Sequence, residues 1–125
     1  MSFEFNVDAG NRILRITGTG ASQLKEVLDA VQSYAALARE HPQFALLSDT
    51  RELDYEPSVM ELLEIARAMF SRRELTTRRL AIVARPGLQE ELARMLASMS
   101  SYVGMRVDVF TDVENAVFWL KGGQP

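Results

Sequence analysis

Apolar side chains fall on every second position at the start of the chain. Phe3, Phe5 and Val7 alternate with Glu4 and Asn6, the period of a strand with one buried face. Asp8-Ala9-Gly10-Asn11 supplies turn residues, and Arg12-Ile13-Leu14-Arg15-Ile16-Thr17 reads as a second strand, so the two form an antiparallel hairpin. Gly18-Thr19-Gly20 breaks this pattern, and the period then changes. From Ser22 to Arg39, Leu24, Val27, Leu28, Val31 and Ala35 make one helical stripe, with Lys25, Glu26, Asp29 and Gln32 elsewhere. His41-Pro42 stops the helix, because proline drives the residue before it out of the helical region. Phe44-Ala45-Leu46-Leu47 has no polar alternation and predicts a central parallel strand covered on both faces.

The second half repeats the alternation of strand and helix. Ser58-Val59-Met60-Glu61 is a capping box, opening a helix through Leu62, Leu63, Ile65, Ala66, Met69 and Phe70. Leu80-Ala81-Ile82-Val83-Ala84 is another buried strand, and Pro86-Gly87 leads into a helix with Leu88, Leu92, Met95, Leu96 and Met99 on its inner side. Met105, Val107 and Val109 alternate with Arg106 and Asp108, predicting a last strand near an edge. Thr111-Asp112-Val113-Glu114 repeats the capping-box pattern, with Thr111 as the expected cap of a helix ending at Lys121-Gly122. The order β-β-α-β-α-β-α-β-α predicts one α/β domain over 1–125, with a mostly parallel five-stranded sheet, an antiparallel first strand and a short flexible tail at 122–125. Disorder is expected also at the first residue or two.

Composition removes several classes of chemistry. The chain has 125 residues, 47% hydrophobic and 25% charged, with no cysteine and one histidine, His41. Thiolate nucleophiles, disulfides and conventional multi-histidine metal sites are therefore absent, and no cofactor is expected. His41 precedes the central strand, at the end of the sheet away from the strand carboxyl ends, so a serine nucleophile there has no base beside it. No signal sequence or apolar run long enough for a membrane span is present, which predicts a cytoplasmic protein. A net charge of -3 gives no general attraction to nucleic acid. Charge is nevertheless segregated: residues 49–64 hold six acids against Arg51, and residues 67–85 hold six arginines against Glu74.

Several segments together carry a family resemblance. They are His41-Pro42-x-Phe44 leading into Leu46-Leu47-Ser48-Asp49-x-Arg51, then Arg79-Leu80-Ala81-Ile82-Val83-Ala84, then Val109-Phe110-Thr111-Asp112 followed by Glu114-x-Ala116-x-x-Trp119-Leu120. In order and spacing the chain resembles the SpoIIAA-like family, a branch related to the STAS domain and sometimes labelled with SEC14. The resemblance implies a SpoIIAA-like or STAS-like α/β fold, and the missing catalytic apparatus adds the expectation that the protein is not an enzyme. STAS antagonists bind a kinase-like anti-sigma partner and are regulated through a serine in an Asp-Ser-Ser-Gly motif. The matching segment here is Glu56-Pro57-Ser58-Val59, which keeps one serine. The SEC14 label implies lipid binding by analogy of fold.

Ligands of parallel sheets sit where strand carboxyl ends and their loops converge. Those ends carry Thr19, then Asp49, Thr50 and Arg51, then Arg85, then Thr111 and Asp112. A small anionic ligand would use Arg51 or Arg85 with the free amides of a helix start. In the competing arrangement, Asp49 caps a turn and Arg51 pairs with it or with Glu52 or Asp54. Arg72, Arg73, Arg78 and Arg79 form a candidate basic patch, either a docking surface for an acidic partner or anionic membrane, or a solvated connection paired with nearby acids. Met60, Met69, Met95 and Met99 are core filler or the lining of a channel for a fatty ligand, with Phe44, Phe70 and Phe118 bulky enough to close it. Ser58 reads as a structural cap, because Glu61 completes its box and Glu52, Asp54, Glu56 and Glu64 oppose an added phosphate. The leading expectation is a non-catalytic interaction or regulatory module with a protein partner; the alternative is a carrier or sensor of a small anionic or lipid-like ligand. A homodimer is expected through the first hairpin, the last strand, or the apolar exteriors at Val103 and Phe118.

Overall fold

The computed structural model describes residues 2–123. The elements are β1 (Phe3–Asp8), β2 (Ile13–Ala21), α1 (Leu24–Glu40), β3 (Ala45–Asp54), α2 (Val59–Phe70), α3 (Arg73–Thr76), β4 (Leu80–Val83), α4 (Leu88–Ser100), a 3-10 turn (Ser101–Val103), β5 (Val107–Phe110) and α5 (Val113–Leu120). One five-stranded sheet has the order β1-β2-β3-β4-β5. β1 pairs antiparallel with β2, with Phe5 opposite Ile16, and every later pairing is parallel. The mixed α/β architecture expected from the element order is the observed one.

The two-residue period of a strand sorts the core into two layers. Leu14, Ile16, Leu46, Leu80, Ile82 and Val109 face α1, α2 and α4. Ile13, Leu47, Ala81 and Val83 face α5, through Ala116, Trp119 and Leu120. With β2 to β5 in chain order and three connecting helices on one face, three successive crossovers share one hand. Leu46 and Leu47 are each 1% exposed, one per layer, which is why their segment shows no polar alternation. Among the described residues no helix is long and apolar enough to cross a membrane.

Several boundaries differ from the sequence expectation. β3 continues well past Leu47 to Asp54, because β2 also continues and pairs Gly20 with Leu53 and Ala21 with Asp54 beyond a bulge between Thr17 and Thr19. Gly18 permits the close approach there: a Cβ at that position would stand 3.2 Å from both Leu53 and Phe3 side chains. The arginine-rich connection contains α3, held by buried Leu75. The final strand starts at Val107, leaving Met105 buried but outside it. Ser2 is buried, its Oγ donating to the Ala21 carbonyl at 3.1 Å and its own carbonyl accepting from the Thr19 amide at 2.7 Å. Of the tail, Gly122 and Gly123 fold back, their amides donating to Trp119 and Phe118 carbonyls at 3.0 Å each. Met1, Gln124 and Pro125 lie outside the described residues.

Candidate functional site

β3 brings Asp49 and Arg51 to the α5 side of the sheet, two residues apart and therefore on one face. Asp49 is 5% exposed, and two arginines hold it. Arg51 donates from Nε to Oδ1 at 3.0 Å and from Nη2 to Oδ2 at 2.9 Å, while Arg15 of β2 donates to Oδ2 at 2.9 Å. The Arg51 amide adds a bond to Oδ1 at 3.2 Å. Burial by itself would raise the carboxyl pKa, but the Arg51 and Arg15 hydrogen bonds and the Arg51 charge outweigh it and hold Asp49 below the ordinary carboxylate value. Arg15 was not among the residues singled out in the sequence. Its signal was its place between buried Leu14 and Ile16, on the face of Ile13 and, through register, of Asp49.

Arg85 turns back over the end of β3. It donates to the Arg51 carbonyl and, at 3.2 Å, to the Leu53 carbonyl. Gln89 completes this fastening: its Nε2 donates to Thr50 and Leu53 carbonyls at 2.8 and 3.3 Å, and its Oε1 accepts from the Arg85 amide at 2.6 Å. Asp112 lies close enough to Arg51 for each to shift the other's titration. Asp49, Arg51, Arg85 and Asp112 are thus brought to one edge, with their charges directed at one another or at backbone. Thr19 stands apart, exposed on β2 opposite Glu52.

The helix starts at this edge separate two expectations. Ser58 caps α2 as a full box: its Oγ accepts from the Glu61 amide at 3.1 Å, and Glu61 Oε1 accepts from the Ser58 amide at 3.0 Å. Thr111 does not cap α5. Asp112 does, accepting from the Asn115 amide and Nδ2 at 2.8 Å each, because an aspartate one residue later reaches the same free amides. Ser58→Ala should lower stability by about 1 kcal/mol, while Ser58→Asp, which can still cap, should be near neutral. Chemical denaturation of both variants measures this, and a large loss in Ser58→Asp alone would contradict a purely structural serine.

The loop arginines do not form one patch. Arg78 turns to the end of α1, donating to Ala38 and His41 carbonyls at 2.7 and 3.0 Å. Arg79 takes the opposite side, with its guanidinium carbon 5.0 Å from the Trp119 ring centroid and Nη1 donating to the Trp119 carbonyl at 2.6 Å. Arg73 is exposed, and Arg72 is half-buried with no hydrogen-bond partner at Nε. Glu74 pairs with Arg39 of α1 at 2.5 Å rather than with the loop.

The channel expected from the methionines has a counterpart in the structure, with different walls. Between the sheet and helices α1, α2 and α4 lies a cavity of 170 Å³. Ile16, Tyr34, Leu62, Ile65, Leu92 and Leu96 are among its walls, and no charged side chain lines it. Ser48 and Thr50 place hydroxyls along β3, and Tyr55 lies at the end near α2. The Tyr55 hydroxyl is buried without a hydrogen-bond partner; burial, reinforced by Glu61 and Glu64, pushes its pKa up to about 12. Of the methionines expected there, only Met69 lines the cavity; Met60 and Met95 are 70% and 42% exposed, Met99 packs against the core without reaching it, and Met105 lines it instead. Phe118 points away, 60% exposed on α5. Among the described residues no three His, Cys, Asp or Glu side chains converge as a metal site, and His41 sits at the end of α1.

A search of curated protein sequences finds no match. Two solved structures share the fold. One, an anti-sigma factor antagonist from Mycobacterium paratuberculosis, is 17% identical with a TM-score of 0.64, over 96% of this chain and 95% of that one. The other, an uncharacterized protein with a SpoIIAA-like fold from Shewanella loihica, is 21% identical with a TM-score of 0.58, over 95% of this chain and 92% of that one. The SpoIIAA-like family model matches residues 13–121, from the first residue of β2 to the residue after α5, and the chain belongs to the SpoIIAA-like family.

Proposed function

We propose that this protein is a non-catalytic sensor or carrier of a small apolar molecule, held in the cavity between the sheet and its three covering helices. The cavity itself carries the reading: 170 Å³ without a charged residue in its lining. An engineered apolar cavity of about 150 Å³ stays dry and takes up benzene, so this volume suits a ligand of one or two rings or a short branched chain. The nearby Glu61 and Glu64 charges disfavour a carboxylate at Tyr55 and favour a neutral hydrogen-bonding head. The arginines at the strand carboxyl ends are engaged with Asp49 and with backbone, so this reading takes the apolar rather than the anionic form of ligand.

Benzene and indole are the probes. Saturable shifts of Leu62, Ile65 and Leu96 methyl resonances support the reading, and absence of any saturable shift rejects it. Ala93 lines the same cavity and is half-buried. Ala93→Leu should fill the space, abolish probe binding and raise stability by about 1 kcal/mol. Equal probe binding by the folded variant would remove the cavity as the site.

A second reading, a regulatory docking module, rests on the start of α2. Val59, Met60 and Leu63 are 61%, 70% and 43% exposed there, beside the Ser58 cap. The likeness in fold to an anti-sigma factor antagonist agrees with it. Reciprocal capture should return a stoichiometric partner that Met60→Asp no longer binds. Recovery of the chain alone would count against docking. The same proposal includes a homodimer through exposed Phe118 and Val103, which a monomer mass by light scattering at micromolar concentrations would exclude.

A further inference from the structure

Positive charge collects at the amino-terminal edge of the sheet, opposite the strand ends considered above. Arg12, Arg79 and Arg106 each immediately precede a strand, β2, β4 and β5 respectively. Arg78 stands beside Arg79 and faces the end of α1. None of these four forms an ion pair among the described residues. Arg79 and Arg106 occupy adjacent strands, one residue before the registered pair Leu80 and Val107, and the Leu80 amide donates to the Arg106 carbonyl at 2.9 Å. Like charges side by side across a ladder are destabilising, and among the described residues no carboxylate forms an ion pair with either.

The edge also has room. A groove of 520 Å³ is lined by Pro42, Gln43, Phe44, Arg78, Arg79 and Arg106 among others, with no acidic side chain in its lining. Two of its guanidinium groups are held in place before any ligand arrives. The Ala38, His41 and Phe44 carbonyls hold Arg78 on the α1 side, and the Trp119 carbonyl and ring hold Arg79 on the α5 side, so the two flank the groove from opposite faces of the sheet. Fixed donors lose little freedom on binding. Arg106 is exposed and makes no side-chain hydrogen bond among the described residues, so it can close on an anion from the rim.

We propose that this groove is an anion site for a phosphate group, carried by a small soluble molecule or a lipid headgroup. Guanidinium forks match phosphate oxygens in pairs: Arg79 and Arg106, neighbours on one face of adjacent strands, would make the contacts, while Arg78 adds positive charge from the other face, which suits a dianion better than a single carboxylate. This site is independent of the cavity, whose lining is uncharged.

Inorganic pyrophosphate is the probe, titrated at low ionic strength against the whole chain and followed by amide resonances. Saturable shifts confined to residues 42–45, 77–80 and 106 are expected, weakening with salt. Arg106→Ala, at an exposed position, should weaken binding about tenfold with the fold intact, as loss of one charge-assisted contact. Arg67→Ala, which removes the same charge from the exposed face of α2, should leave binding unchanged. Vesicles of phosphatidylcholine with and without phosphatidic acid separate the two sources. Sedimentation with the acidic vesicles that pyrophosphate competes away assigns a lipid headgroup; saturable pyrophosphate binding without sedimentation assigns a soluble phosphate. No saturable binding of either, or equal loss of affinity in Arg106→Ala and Arg67→Ala, overturns the site.

Discussion

Asp49→Ala should cost about 3 kcal/mol of folding stability, the lower end for breaking a buried ion pair by removing one partner. The carboxylate is nearly buried, with 7% side-chain exposure, while Arg15 and Arg51 keep 35% and 37%. Their access to water moderates the cost, but the variant leaves two cations on neighbouring strands with nothing between them. Arg51→Ala should cost less, because Arg15 still satisfies the carboxylate. Asp49→Asn isolates charge from volume and gives the pH dependence its sign. The folded carboxyl titrates below its ordinary value of 3.8 because Arg51 and Arg15 favour the anion. Its stabilisation is therefore complete above the unfolded pKa and disappears as pH falls through the folded value. The stability gap between wild type and Asp49→Asn should be widest at neutral pH and should narrow on acidification below about pH 4. Asp8, Glu74 and Asp112 are also held below their ordinary values, so wild-type acid unfolding alone is not diagnostic. The gap between the two proteins cancels them, and a gap independent of pH would show that Asp49 contributes packing rather than charge.

Tyr34→Phe should cost about 2 kcal/mol, although it removes one oxygen and no carbon. The hydroxyl comes down from α1 between two strands: it donates to the Leu14 carbonyl at 2.5 Å and accepts from the Leu47 amide at 3.0 Å. The site is fully buried, so no water replaces the phenol, and burial holds it protonated far into alkali. A single side chain thereby ties α1, β2 and β3 together. Thermal unfolding should show the loss, and hydrogen exchange of the Leu47 amide should quicken more than that of Ala81 on β4. Unchanged exchange at Leu47 with unchanged melting would mean that β2 and β3 close directly across the gap.

Both predictions turn on residues whose importance depends on long-range pairing. The hairpin, the order of strands and helices, the two-sided burial of Leu46-Leu47 and the Ser58 capping box follow from local rules. Periods of two and 3.6, proline and glycine punctuation and a box spanning three residues are all encoded within a few positions. The SpoIIAA-like assignment was legible for the same reason, since it rests on the spacing of such segments. A local rule also explains the misplaced cap. Thr111 and Asp112 can each cap a helix, and only the path of the chain out of β5 decided for Asp112.

Register decided the site. Asp49 and Arg51 were paired candidates in the sequence, but Arg15 joins them only because β2 and β3 align Thr17 with Asp49. The continuation of β3 to Asp54 likewise needed the far end of β2 as its partner, which polar side chains alone do not announce. The cavity is the clearest case. Its walls come from strands and helices far apart in the chain, and its volume is the residue of how their side chains fail to meet. Apolar periodicity states which faces turn inward; it does not state how much space remains between them. Of the methionines on those faces, Met69 reached the cavity and Met60 and Met95 did not, because helix rotation over the sheet is set by packing of the whole layer. The sequence determined the elements and the family, through short-range patterns. Tertiary structure alone determined which charges neutralise one another, which arginines of the opposite edge form no ion pair among the described residues, and where the interior leaves a cavity, because each depends on distances between residues that the chain brings together only on folding.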